Sequence, residues 1–236
     1  MIRGMSVSLR HPTPDDVPAL VDFVVRNRDH FRTGEPARSE AYYTPAGQAD
    51  LVAAADRARE TGTGLLFLVE EDGVLVGRAQ LNSVIRGAFD SASVGYGVDR
   101  ACTGRGIATA ALRLLVGVGF DVLGLHRLQG ETLVDNVASQ RVLAACGFEH
   151  YGTAPDYLRI DGRWRAHELF QRINPGWRPR GGCGGERRAG GAAGSAGRGM
   201  PGAQLTAGTG ASTRATARAP RTPPTARRAR RRRAHG

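Results

Sequence analysis

The sequence of 236 residues has no lysine, only three cysteines and no long apolar run. Without lysine it cannot form a P-loop, whose G-x-x-x-x-G-K-[ST] pattern places that side chain beside the phosphates of a nucleotide. The cysteines, Cys102, Cys146 and Cys183, form no C-x-x-C pair and indicate no disulfide framework, which fits a reducing compartment. We therefore expect a protein of the cytoplasm.

Segments that would enter a membrane are also missing. The most apolar window, residues 112–125, is interrupted by Arg113 and Asp121 and is too short to span a bilayer. The opening residues, MIRGMSVSLRHPTP, contain no apolar stretch of the kind that a signal peptide needs. These patterns predict a soluble protein that makes no membrane contact.

Positive charge is concentrated at one end of the chain. Residues 178–236 hold 14 of the 33 basic residues and a single acid, Glu186, whereas residues 1–177 carry 19 arginines against 21 acids. The basic segment has no valine, isoleucine or aromatic residue, so it cannot bury enough apolar surface to offset the entropy of ordering. We predict one folded domain over residues 1–177 and a disordered basic tail over residues 178–236.

The tail ends in ARRARRRRAHG, a run of arginines that favours phosphate groups. One interpretation is a weak contact with RNA or the ribosome. The other is a solvated extension without a binding role, and composition alone leaves both open.

Hydrophobic patterns in residues 7–173 predict seven strands and four helices. Helix start signals occur at Thr13-Pro14 and Thr44-Pro45, and Asp-Gly turns indicate two hairpins. The predicted strands are 7–12, the hairpin 65–81, 91–98, 126–134 and the hairpin 156–173, and the later helices are 106–122 and 136–148. Three strands follow one another in the middle of this order, so we expect an α/β protein with a mixed sheet.

A glycine-rich turn joins a strand to the longest predicted helix in YGVDRACTGRGIATAALRLLVGVGF, residues 96–120. Unpaired N–H groups and the helix dipole favour an anion there, and glycine lets a phosphate approach the backbone closely. A Rossmann turn would need glycine in place of Thr109 and an acid at a strand end about 20 residues later. The pattern predicts an anion site of open identity, with a loop that merely turns as the plain alternative.

Two segments, TGRGIATAAL and NVASQRVLAACGF, resemble the acetyl-coenzyme A motif and the following helix of the GNAT acetyltransferases. The family pattern Q/R-x-x-G-x-G/A lies over residues 103–108, with Thr103 in place of the usual Gln or Arg. The resemblance spans residues 7–173. Three further segments, EPARSEAYYTP, NSVIRGAFDSASVGYGV and GTAPDYLRIDGRWRAHEL, resemble the RimJ/RimL-type protein N-terminal acetyltransferases, and RimJ more than RimL.

The resemblance implies the GNAT fold, a splayed mixed sheet of about seven strands flanked by four helices. It implies acetyl-coenzyme A as cosubstrate, no metal, and direct transfer of acetyl to the N-terminal α-amino group of a protein, such as a ribosomal protein. Backbone groups of the glycine turn would hold the pyrophosphate, and those near Gly97 and Val98 the pantetheine. The cofactor-binding residues implied in this way are Gly97, Val98, Thr103, Gly104, Arg105, Gly106, Ile107, Ala108, Thr109, Asn136 and Ser139.

The same resemblance suggests a catalytic set. Ser139 is the expected proton donor to the departing thiolate, Glu131 the leading candidate for the base, and Tyr157 an alternative acid or a wall of the substrate cleft. Each of these residues also has a structural interpretation. At the start of the helix, for example, Asn136 is an ideal N-cap and a serine such as Ser139 is common in a first helical turn. Glu35, in the loop on the substrate side, is a second candidate for the base, and His167 and Asp156 are lesser ones. No histidine pairing suggests a cysteine nucleophile.

Two other functions are compatible with the sequence. The cofactor half of the fold would equally serve acetylation of a small amine, such as an antibiotic or a polyamine. The arginine tail would suit a ribosome- or RNA-binding module without activity. Whether the protein is a monomer or a dimer stays open.

Overall fold

The computed structural model describes residues 6–179, which form a seven-stranded sheet in the order β1-β2-β3-β4-β5-β7-β6. The predicted tail lies outside the described residues from 180 onward. The strands are β1 Val7–Arg10, β2 Leu65–Glu71, β3 Val74–Ile85, β4 Ser91–Val98, β5 Arg127–Leu133, β6 Glu149–Ile160 and β7 Arg163–Ile173. The helices are α1 Val17–Arg26, α2 Arg28–Arg32, α3 Pro45–Glu60, α4 Ile107–Gly117 and α5 Val137–Ala145.

The predicted mixed α/β fold is confirmed, because every strand pair is antiparallel except the parallel pair β4–β5. The four predicted helices are present, and α2 is an additional short helix that five residues of sequence are too few to reveal. The strand β6 begins at Glu149, seven residues before the predicted hairpin. Its first half was concealed by Pro155 and Asp156, which lie in a bulge opposite β7.

Short-range chemistry explains where these elements begin and turn. Thr44 caps α3 by accepting a hydrogen bond of 3.2 Å from the Gly47 N–H. Both residues of the turn Asp72-Gly73 have positive φ, 51° and 82°, as a type I′ hairpin requires. The first helix begins as a 3-10 turn at Pro14, and α1 proper starts at Val17.

The strands β4 and β5 pair along only part of their length. Their register joins Ser91–Ser93 to Arg127–Gln129 and stops there, although β4 continues to Val98 and β5 to Leu133. Beyond this point each strand bonds only to its outer neighbour, β3 or β7. The sheet therefore divides into two halves that diverge toward the carboxyl end of β4.

Two apolar layers cover the sheet. The larger lies against α4 and α5 and contains Leu112, Leu115 and Leu128, all fully buried. The smaller joins Leu20 and Val52 of the N-terminal helices to the other face. Burial of such a side chain contributes about 1.5–3 kcal/mol, so helices are packed firmly on both faces of the sheet. Within residues 6–179 no helix is long and apolar enough to cross a membrane.

Candidate active site

The glycine turn lies between the end of β4 and α4. Gly104 and Gly106 have φ values of 75° and 80°, and a Cβ added to either would meet no described atom within 4 Å. The first hydrogen bond within the helix runs from the Ala110 N–H to the Gly106 carbonyl, at 3.0 Å. The three N–H groups before Ala110 are thus first-turn donors aimed outward, and the surface above the turn is open to an anion.

The side chains of this turn point elsewhere. The Arg105 guanidinium donates to the Glu71 carboxylate at 2.8 Å, on β2. The Thr103 hydroxyl donates to the Arg100 carbonyl at 3.0 Å and closes the preceding 3-10 turn. An anion at this place would be held by backbone N–H groups, so the departure at Thr103 from the usual Gln or Arg leaves the donors intact.

A cleft of about 730 Å³ runs from the gap between β4 and β5 over this turn to α5. It is lined by ten of the eleven residues predicted to bind the cofactor, the exception being Arg105. Its size falls within the range of small-molecule sites. The ten residues are Gly97, Val98, Thr103, Gly104, Gly106, Ile107, Ala108, Thr109, Asn136 and Ser139.

The polar end of the cleft is built at the start of α5. The Asn136 side chain accepts a hydrogen bond of 3.1 Å from the Ser139 N–H, so Asn136 is the N-cap and Ser139 lies in the first turn. The Ser139 hydroxyl is 2.8 Å from the phenolic oxygen of Tyr96 on β4. Burial raises the pKa of Tyr96 to about 12. Thus Tyr96 holds the hydroxyl of the expected proton donor.

Sequence reasoning missed Tyr96, although a signal was present. Ala92, Val94 and Val98 alternate on one face of β4 and belong to the core beneath α4 and α5. Tyr96 shares that parity and is the only one of the four with a polar tip. A buried phenol normally finds a partner, which points to the helix that covers this face.

Glu131 lies on the opposite face of the sheet. Leu128 of β5 faces α4 and α5, and strand alternation turns Glu131 the other way. Its carboxylate accepts a hydrogen bond of 3.1 Å from the Ser93 hydroxyl of β4, across the diverging strands. Burial raises the pKa of Glu131. The structure therefore separates the predicted catalytic set into Ser139 in the cleft and Glu131 behind it.

Tyr157 belongs to the group behind the cleft. It occupies the bulge between β6 and β7, where Asp156 has a φ of 49°. Its ring lies 5.2 Å from that of His167 on β7, and burial, followed by the nearby Glu131, raises the pKa of Tyr157. The His167 ring is itself buried, with Nδ1 3.0 Å from the Arg165 carbonyl oxygen. Tyr157 and Glu131 thus share one environment on the face of the sheet opposite α4 and α5.

A second cavity of about 250 Å³ adjoins the cleft, and both cavities include Phe31 and Glu35 in their walls. A Cβ added to Gly97 would lie 3.1 Å from the Phe31 ring, so α2 packs directly on the end of β4. The Glu35 carboxylate is 3.7 Å from the Arg38 guanidinium and 4.0 Å from that of Arg78. Of the carboxylates considered as base, Glu35 is the one that lines the cleft.

Comparison with known proteins places this geometry in a family. The profile of the acetyltransferase (GNAT) domain matches residues 6–149. The probable N-acetyltransferase YjcK of Bacillus subtilis is 32% identical over 177 residues, which cover 74% of this chain and 98% of the relative. The [ribosomal protein uS5]-alanine N-acetyltransferase of Escherichia coli is 30% identical over 166 residues, 70% of this chain and 86% of the relative.

A solved structure agrees with these relatives. RimJ of Mycobacterium smegmatis, in complex with CoA-disulfide, is 31% identical and has a TM-score of 0.69 over 71% of this chain and 81% of that chain. The chain therefore belongs to the GNAT acetyltransferase family, and the predicted GNAT fold is confirmed. It is an acetyltransferase, with the RimJ/RimL-type enzymes among its relatives.

Proposed function

We propose that this acetyltransferase transfers acetyl from acetyl-coenzyme A to the N-terminal α-amino group of a protein, with a ribosomal protein as the first candidate. The observation that carries the proposal is the cleft itself. It joins an anion-binding glycine turn to diverging strands and ends at the Ser139 hydroxyl. The names of the Escherichia coli relative and of the Mycobacterium smegmatis structure support the acceptor and the coenzyme, respectively.

The residues of the cleft fit acetyl-coenzyme A. The turn offers several outward N–H donors and open space above Gly104 and Gly106, which suit a pyrophosphate. Gly97 and Val98 lie in the part of β4 that is not paired with β5. Their backbone groups on that side are therefore suited to hydrogen bonds with the amides of pantetheine. When bound, the coenzyme supplies a thioester whose carbonyl carbon is attacked and whose sulfur leaves.

The reaction needs two proton movements. The neutral amine attacks the thioester carbonyl carbon, the C–S bond breaks, and its electron pair remains on sulfur. The amine loses one proton and the thiolate gains one, so the products are an amide and free coenzyme A. We assign the Ser139 hydroxyl to the sulfur as the hydrogen-bond donor that stabilises the departing thiolate, because it lies in the cleft beside the turn. The thiolate then takes its proton from solvent, and the serine keeps its own.

The proton acceptor is assigned to Glu131. An α-amino group has a pKa of about 7.7–8.0, so much of it is already neutral at the pH of the cytoplasm and a weak base suffices. Burial raises the pKa of Glu131 above its ordinary value, which makes the carboxylate a stronger base, and one of its oxygens accepts from Ser93. We infer that the amine of the substrate enters from the face of the sheet that carries Glu131 and Tyr157.

The acceptor is tested with the full-length protein, acetyl-coenzyme A and a panel of amines. Peptides that begin with Ala, Ser or Met are compared with peptides blocked at the N-terminus, polyamines and aminoglycosides, and mass spectrometry locates the acetyl group. We expect label only on free peptide N-termini. Label only on polyamines or aminoglycosides would overturn the protein acceptor in favour of a small amine. Absence of label with coenzyme A still bound would refute the transfer proposed.

The assigned roles are tested with Ser139→Ala and Glu131→Gln. Each is expected to lower kcat by roughly 10²-fold, the usual contribution of a positioned acid or base, with little change in the KM for acetyl-coenzyme A. Glu60→Gln on α3 is the matched control, because Glu60 is exposed and its side chain has no ion pair or hydrogen bond within the described chain. Unchanged kcat in Glu131→Gln would remove Glu131 as the base.

Stability gives Glu131→Gln a second readout. A carboxyl group with a raised pKa binds its proton more tightly in the folded protein than in the unfolded chain. It therefore lowers the free energy of unfolding increasingly as the pH rises above its unfolded-state pKa, and fully above its folded-state pKa. The substitution should therefore raise Tm at pH 8 and lose that advantage near pH 4. If Glu131→Gln is more stable than the wild type but much slower at pH 8, the result agrees with a role of Glu131 as a base that lowers the stability of the fold.

A further inference from the structure

The hydroxyl of Tyr96 connects β4 to the first turn of α5. Its oxygen lies 2.8 Å from the Ser139 Oγ and 3.2 Å from the Ser139 carbonyl oxygen. The ring packs against the core from a position opposite Ala79 of β3, so the strand fixes its direction. Tyr96 and Ser139 both line the cleft.

The two hydroxyl groups can exchange one hydrogen bond in two ways. If the phenol donates to Ser139 Oγ, the serine proton is free to point into the cleft. If the phenol donates to the Ser139 carbonyl, the serine hydroxyl donates back to the phenolic oxygen and has no proton for a ligand. The 2.8 Å contact between the two hydroxyls is present in both arrangements, with the donor reversed, and only the first makes Ser139 a donor toward the cleft.

The phenol itself is a poor source of the proton. Burial raises the pKa of Tyr96 to about 12, whereas the thiol of a cysteine side chain has a pKa near 8.5. Transfer from the phenol to a thiolate would be uphill by more than three pKa units. Tyr96 therefore keeps its proton throughout the pH range of the reaction and acts only as a hydrogen-bond donor.

We propose that Tyr96 is a positioning residue that donates to Ser139 Oγ and so directs the serine proton toward the sulfur of coenzyme A. The proposal rests on the acetyl transfer and the role of Ser139 described above. It adds Tyr96, from the opposite side of the cleft, to the residues that support the reaction. The hydrogen bond from Tyr96 fixes the direction in which the Ser139 hydroxyl donates. Asn136, which holds the Ser139 backbone, completes the arrangement.

Kinetics of Tyr96→Phe test the proposal, since this variant keeps the ring and removes the hydroxyl. We expect kcat to fall about tenfold, the loss of roughly one hydrogen bond, while the KM for acetyl-coenzyme A stays within twofold. The double variant with Ser139→Ala should be no slower than Ser139→Ala alone, because Tyr96 acts through that hydroxyl. Tyr151→Phe is the matched control, because Tyr151 is an exposed residue and its hydroxyl has no hydrogen-bond partner among residues 6–179.

Titration of bound coenzyme A provides a readout that needs no acceptor. The ultraviolet absorbance of the thiolate, taken as the difference between protein with and without coenzyme A, gives the pKa of the bound thiol. A donor aimed at sulfur lowers that pKa, so Tyr96→Phe and Ser139→Ala should both raise it by about half a unit to one unit. Tyr151→Phe should leave it unchanged.

The outcomes separate this inference from the proposed function. Wild-type kcat and thiol pKa in Tyr96→Phe, with both altered in Ser139→Ala, would overturn the role of Tyr96 alone. Losses that multiply in the double variant would also overturn it. A panel in which no amine is acetylated would refute the proposed function, and the thiol titration would still decide whether Tyr96 directs Ser139. If Tyr96→Phe does not fold, the test falls to Ser139→Ala. The inference fails if that variant has the wild-type thiol pKa.

Discussion

Gly106 offers the sharpest test of how the coenzyme is held. It is the N-cap of α4 and has a φ of 80°, and a Cβ added there would meet no described atom within 4 Å. Gly106→Ala therefore causes no clash within the domain. It introduces left-handed backbone strain and places a methyl group over the N–H groups that face the cleft.

Gly62 provides a matched control for the strain. It follows α3, has a φ of 67°, and has equally open space around an added Cβ. A non-glycine residue in this region costs roughly 1–2 kcal/mol, and for a domain of this size each kcal/mol lowers Tm by about 2–4 °C. We expect Gly62→Ala and Gly106→Ala to lower Tm by similar amounts.

Coenzyme affinity should distinguish the two variants. A hydrogen bond to a charged group contributes about 1.5–3 kcal/mol, so displacing the pyrophosphate from even one N–H raises Kd tenfold or more. Calorimetric titration with coenzyme A should show this loss in Gly106→Ala and wild-type Kd in Gly62→Ala. Wild-type Kd in Gly106→Ala would refute the backbone anion site, and a loss in both variants would show that strain alone weakens binding.

Two further predictions concern stability. Thr132 is buried with no partner for its hydroxyl among the described residues, so the isosteric Thr132→Val should raise the free energy of unfolding by about 1 kcal/mol, measured by urea denaturation; a decrease would mean that the hydroxyl is satisfied. The Arg10 guanidinium lowers the pKa of Asp16 to about 2. Asp16→Asn should therefore cost up to about 1 kcal/mol at pH 7, a difference that shrinks as the pH falls below 4 toward 2 and the wild-type carboxylate is protonated; a deficit independent of pH would contradict this.

Local signals in the sequence account for most of the elements. Thr44 before Pro45 and the Asp-Gly hairpin turns depend on residues that are neighbours in the chain, and each is present where it was predicted. The glycine turn is likewise a local motif, which explains why its residues line the cleft. Such features need only propensity and hydrogen bonding within a few residues.

Contacts between distant residues could not be predicted in this way. Tyr96 meets Ser139 from 43 positions away, and Ser93 meets Glu131 from 38 positions away. Whether such residues meet depends on the order of strands in the sheet and on the face toward which each side chain points. A shift of one residue in register reverses that face. The sequence indicated which groups are chemically able, but only the assembled sheet decides which of them share a face.

The partial pairing of β4 and β5 would link the stability of the domain to the coenzyme proposed to bind there. Three residue pairs join the two halves of the sheet, and further along the two strands turn unpaired edges toward each other. A ligand that bonds across this opening binds only the folded sheet, and at 100 times its Kd it adds about 2.7 kcal/mol to the free energy of unfolding. The fraction of molecules that unfold, and with it their exposure to proteases, would then follow the supply of acetyl-coenzyme A in the cell.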